Sequence, residues 1–193
     1  MRDGQNIIEP KFLFARASED DLRNYTAQML FNSAKAARDQ LSQWNGSAPS
    51  IGIVDLSAAE PVSIVTIVSR NKPFIYASVM GEVTNAHRKI HLAVHPILVA
   101  DDSTKGGYRL ATGKDDPSTT ISLIQIHVAG LNPTVAQSLR EKILTVLDQV
   151  SLVNKDWKPM LERLDGVVAE VDNLSVQSES QDRQEVVEFL RWL

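Results

Sequence analysis

The stretch VSIVTIVSRNKPFIYASVMGEV, residues 62–83, decides the fold. Its first seven residues are rich in β-branched side chains and read as a strand. A polar turn follows, and then Ile75, Val79, Val83 and Ala86 recur at the spacing of a buried helical stripe. Asn71 offers cap chemistry to that helix, and Pro73 is tolerated in its first turn. Downstream, IHLAVHPILVA (90–100) and TTISLIQIHV (119–128) read as two more strands. The polar loop 101–118 between them holds a short extended piece at residues 108–111.

Upstream, IGIVDL (51–56) is joined to the first core strand by SAAEP, a short hairpin connection. Asn132 and Pro133 open a helix carrying Leu139, Ile143, Val146, Leu147 and Val150. The resulting order is β–β–α–β–β–α. It predicts an α+β, ferredoxin-like antiparallel sheet with helices on one face, plus N- and C-terminal helices. The ferredoxin-like unit pairs its last strand beside its first. No strand follows the helix at 133–150, so the strand at 51–56 is expected to occupy that edge in a permuted arrangement.

Outside this core, Ser18 with Glu19, Asp20 and Asp21 marks a helix start, and the stop NGSAPS (45–50) ends that helix. A separate helix is expected with Trp157, Leu161, Leu164, Val168, Val171 and Leu174 on one stripe. The polar linker 175–184 then leads to a last helix near Asp182. The expected organisation is an N-terminal helical segment at 1–47, an α+β domain at 48–153 and C-terminal helices at 154–193. The chain ends in FLRWL (189–193), where Val187, Leu190, Trp192 and Leu193 form an apolar stripe. A helix stopping on such a surface predicts continuation into a larger polypeptide.

A net charge of −4 and the absence of a Lys/Arg cluster argue against nucleic acid as a partner, since phosphates demand a concentrated basic surface. No apolar run reaches the ~18–20 residues that span a bilayer, so no membrane is expected either. Zero cysteines remove disulfides, thiolate nucleophiles and zinc-thiolate sites, a composition that suits a reducing cytoplasm.

The histidines are the first chemical candidates. His91 and His95 on one straight strand would lie ~13 Å apart, whereas a metal holds its ligands at ~2 Å. With Gln125 and His127 from the other strand, they are expected on the sheet face turned away from the helices, packed against another domain. Ile90, Leu92, Val94 and Leu98 are expected to face the helices. The second candidate is the turn Ser69, Arg70, Asn71, Lys72, Pro73 and Phe74, where amides at a helix start and two cations offer a seat for a carboxylate or phosphate. The simpler reading has Asn71 capping and the cations solvated. Gly106-Gly107 and Gly113-Lys114 match no phosphate-binding pattern, and Asp101-Asp102 and Asp115-Asp116 read as turn residues. Trp44, Trp157 and Trp192 share helical spacing with core residues and read as packing. No catalytic, cofactor or metal residues are identified. A small hydrolase or lyase built on His91, His95 or His127 is the weakest alternative.

KPFIYASVMGEV (72–83) followed by IHLAVHPIL (90–98) resembles the N-terminal region of the large bacterial NAD-specific glutamate dehydrogenases. Pro73, Phe74, Ser78, Val79, His91, Leu92, His95 and Pro96 carry the resemblance. LFARASEDDLRNY (13–25), DWKPMLERL (156–164) and FLRWL (189–193) extend it over nearly the whole chain. Where that family carries Asn-Asp-Asp before the helix, this chain has Arg70-Asn71-Lys72. Ala77 replaces an aspartate, Gln125 a histidine and His127 an acid. The resemblance implies an ACT-like regulatory domain without catalytic residues of its own, belonging to an enzyme that converts L-glutamate to 2-oxoglutarate and ammonium with NAD. It also implies partners: other domains of the same chain, sister subunits and an amino-acid effector at Ser69–Phe74. A freestanding amino-acid-sensing protein is the alternative.

Overall fold

The computed structural model describes residues 10–56, 60–86, 89–101, 107–173 and 180–192. In chain order the elements are α1 (Pro10–Leu13), α2 (Glu19–Leu22), α3 (Ala27–Gln43), β1 (Ser50–Leu56), β2 (Val62–Arg70), α4 (Ile75–Asn85), β3 (Ile90–Val94), β4 (Ile97–Asp101), β5 (Gly107–Leu110), β6 (Ile121–Ala129), α5 (Pro133–Asn173) and α6 (Ser180–Trp192). The chain divides into two compact units, residues 1–150 and 151–193. The N-terminal helices therefore belong to the same unit as the sheet.

β2 and β6 are the central strands, paired antiparallel from Val62↔Ala129 to Arg70↔Ile121. Their long β-branched runs need cover on both faces, and every residue of β2 except Arg70 is buried. β1 pairs antiparallel with β2, Ser50 opposite Val68 and Leu56 opposite Val62, and so fills the edge expected for residues 51–56. On the other side of β6 lie β3 and β4 in succession, and β5 adds a hairpin strand to β4. The result is the ferredoxin-like strand order with its outer strand supplied from the N-terminal side.

One sheet face carries Val65, Ile67, Ile124, Ile126 and Val128 against Ile75, Val79 and Val83 of α4 and Leu139, Ile143 and Leu147 of α5. The opposite face carries Val68, Leu92, Val94, Leu98 and Leu123 against Leu13 and against Ala34, Ala37 and Leu41 of α3. The chain's own N-terminal helices thus cover the second face. Gly52 lies beneath the side chain of Gln40 on α3, whose amide end would have to move if a Cβ were present.

Several local expectations need correction. Ser18 does cap a helix, its Oγ accepting from the amide of Asp21, but that helix ends at Leu22. Thr26 then caps α3 by accepting from Met29, so the first helical segment is two helices. The strand expected at 90–100 breaks at His95-Pro96 into β3 and β4. A register shift between Ile90 and Leu92 sends neighbouring alternate residues to opposite faces. Ile90 and Ala93 pack toward α4 and α5, while Leu92, Val94 and Leu98 pack beneath α3. The two helices expected on either side of residue 153 are one continuous α5, 41 residues long, which tolerates Pro159. Trp157 on it is exposed rather than packed, as are Met160 and Leu161, whereas Val168 and Val187 are buried. Leu174 and Leu193 and the side chain of Trp192 lie outside the described residues, as do Asp102 and Gly106.

Candidate functional site

The turn out of β2 is shaped by what its neighbours bind. Arg70 donates through Nε to the carbonyl of Gly46 at 3.2 Å, and its guanidinium lies 5.4 Å from the ring of Trp44. Trp44 is held in turn by its indole N–H donating to the Ala48 carbonyl at 2.7 Å. The backbone amide of Asn71 donates to the Thr120 carbonyl at 3.0 Å. Asn71 therefore anchors the turn to the segment before β6 and does not cap α4. The cap position is Phe74, at φ 67° and with no side-chain hydrogen bond. A left-handed phenylalanine is sterically costly, and the residue is 64% exposed. Ser69, buried on the α4 side, has no hydrogen-bond partner for its Oγ.

The polar residues of β6 form a second cluster. Ser33 donates through Oγ to Oε1 of Gln125 at 2.7 Å, and Gln125 Nε2 donates to the Ser33 carbonyl and to Oγ1 of Thr66. His127 Nε2 lies 2.8 Å from Ser33 Oγ, and Nδ1 lies 2.9 Å from the Tyr25 hydroxyl. With the Ser33 proton committed to Gln125, a complete set of bonds places the imidazole proton on Nε2, and Nδ1 accepts from Tyr25. Burial, and then the charge of His91, lowers the pKa of His127 to about 4. Burial above all raises the Tyr25 pKa to about 12. Both groups are therefore neutral near pH 7, as the network requires.

A serine at hydrogen-bond distance from an imidazole has the form of a nucleophile and its base. Ser33, Gln125 and His127 are each 0% exposed, so no substrate reaches them. The cluster fixes α3 on the sheet instead. Its sequence signal is faint: polar residues at alternate positions of two otherwise apolar strands, matched by one serine beside Ala34 and Ala37.

The four residues expected to share an outward sheet face do not share one. Gln125 and His127 lie beneath α3. His95 is on the opposite face, stacked on Tyr76 of α4 at 4.9 Å between ring centroids and 2.8 Å from Ser122 Oγ. His91 lines a cleft with Tyr25, Met29 and Lys89. Asp115 and Asp116 are turn residues, as expected. Asp115 pairs with Arg109 and accepts from the Thr112 amide, and Asp116 caps a short 3-10 turn by accepting from Ser118. Among the described residues, no three His, Asp or Glu side chains come together as a metal site.

A ferredoxin-like sheet covered by helices on both faces, with its Ser33–His127 contact sealed beneath α3 and an exposed aromatic at its strand–helix turn, has the build of an ACT-like domain. Residues 11–143 match the glutamate dehydrogenase ACT1 domain family, and the chain belongs to that family. The matched region begins in α1 and takes in the entire sheet, so the helices over its second face are part of it. Neither a curated protein nor a solved structure matches the chain.

Proposed function

We propose that this chain is the non-catalytic regulatory and interaction domain of a cytoplasmic, bacterial, NAD-specific glutamate dehydrogenase. The observation that carries the reading is the family match across the whole sheet. The parent polypeptide would oxidatively deaminate L-glutamate to 2-oxoglutarate and ammonium, with NAD bound outside this chain. Among the described residues, no helix is long and apolar enough to cross a membrane.

Within that role, packing against other domains or sister subunits is favoured over capture of an amino-acid effector at Ser69–Phe74. Arg70 is engaged by Gly46 and Trp44, and the amide of Asn71 by Thr120, while the Phe74 ring stands out as an apolar contact. The test is an assay of glutamate-dependent reduction of NAD and NADP. The 193-residue chain is expected to reduce neither, and the complete native polypeptide to reduce NAD alone. A native polypeptide without glutamate oxidation, or one that prefers NADP, would overturn the proposal. Calorimetric titration of the chain with glutamate, aspartate and arginine is expected to give no heat. Tight binding abolished by Asn71→Ala would instead favour the effector site.

A further inference from the structure

A cleft of about 370 Å³ opens between the segment at residues 12–16, the corner joining β3 to β4, and the end of β5. That volume lies within the range of small-molecule sites. Its walls are largely apolar, with Leu13, Val94, Ile97 and Leu110 among them. Three polar side chains also line it: Arg16, Tyr76 and His95. None of the residues from Ser69 to Phe74 takes part, so the cleft is separate from the strand–helix turn.

The charge in this cleft is unbalanced. Arg16 brings a permanent cation, and among the described residues no carboxylate lines the walls. His95 adds no second charge near neutral pH. Burial, and then the nearby Arg16, lowers its pKa to about 4. Its ring is fixed by the Tyr76 stack and by Ser122 at Nε2, which orients Nδ1. The Pro96 break that divides β3 from β4 is what bends the strand to form this corner.

We propose that the cleft binds a small organic monocarboxylate with an apolar body, its carboxylate on Arg16 and its hydrocarbon part against Leu13, Val94, Ile97 and Leu110. One guanidinium matches one carboxylate with two parallel hydrogen bonds, and the fixed ring pair offers a flat surface for the ligand's body. The inference is independent of the regulatory reading, because its readout is binding to the chain itself.

The test is titration of the 193-residue chain, followed by amide NMR shifts, with phenylacetate, its uncharged amide phenylacetamide, and inorganic phosphate. Phenylacetate is expected to move resonances of residues 13–16 and 93–97. Loss of a charge-assisted bond should weaken the amide by about tenfold or more. Phosphate, lacking an apolar body, should leave those resonances unmoved. Arg16 is exposed, so Arg16→Gln should fold normally and lose phenylacetate binding, while Arg16→Lys should retain part of it. Equal binding of acid and amide, phosphate binding as well as phenylacetate, or no shifts with phenylacetate would each overturn the proposal. So would unchanged binding to the Arg16→Gln variant.

Discussion

The two faces of the sheet solve the same burial problem with different chemistry. Under α4 and α5 the centre of the core is aliphatic, with Ile67, Ile124, Ile126 and Ile143 all fully buried and the Ser122–His95 contact confined to the start of β6. Under α3, the equivalent central positions are Thr66, Gln125 and His127, tied to Ser33 and Tyr25. The aliphatic face gains from area removed from water, an attraction without directional preference. The polar face gains little net free energy but admits one placement of α3, because any shift orphans buried donors and acceptors.

Four measurements would break or sharpen that contrast. Ile143→Ala, on the aliphatic face, should cost about 2–5 kcal/mol in urea unfolding through lost transfer energy and a cavity. A cost below that of the polar-face variants would invert the comparison.

Acid sensitivity should come from both faces, from His127 on the polar one and from His95 beside Tyr76 on the other. An unfolded histidine titrates near 6.5, and the fold holds His127 to about 4, so the native state favours the neutral ring. The stabilisation is complete above pH ~6.5 and is lost as pH falls toward ~4, by on the order of 3 kcal/mol. Comparison of His127→Gln with the parent isolates this contribution from that of His95. Equal acid slopes in the two proteins would refute it.

Ser33→Ala should cost about 0.5–1.5 kcal/mol, since it removes the hydroxyl that bridges Gln125 Oε1 and His127 Nε2 and leaves only the 3.2 Å contact between those two. Hydrogen exchange should accelerate in α3 and not in α4; uniform acceleration would show that the network does not govern α3. The smallest effect is expected at the turn. Phe74→Gly relieves the positive φ but adds unfolded-state entropy, for a net gain of up to about 1 kcal/mol. A loss of stability would mean that the ring packs within the chain, contrary to its role as an outward contact.

The same contrast explains what was legible. The aliphatic face announces itself through β-branched runs and through Ile75, Val79, Val83, Leu139, Ile143 and Leu147 at helical spacing. The polar face does not. Gln125 and His127 in a strand look solvent-directed when alternation is the only guide, and nothing local says that Ser33, more than ninety residues away, meets them. The split of the first helix was signalled only by Thr26, a cap residue inside an otherwise plausible helical run. The division expected near residue 153 is a break that α5 does not make. The site residues fared likewise: the position of the Ser69–Phe74 turn was readable, but not that Asn71 would anchor to Thr120 while Phe74 took the cap position.

The amino-acid sequence alone determined the pairing order, because connectivity left residues 51–56 as the strand able to fill the open edge beside β2. It also determined which family the chain would join, through the runs at 72–83 and 90–98. Only the tertiary structure decided which face each side chain of β3 and β4 meets, since a one-residue register shift and a proline reverse the alternation that sequence reading relies on. It alone decided that α3 covers Gln125 and His127, because the partners of a buried polar group come from distant segments and leave no periodic trace.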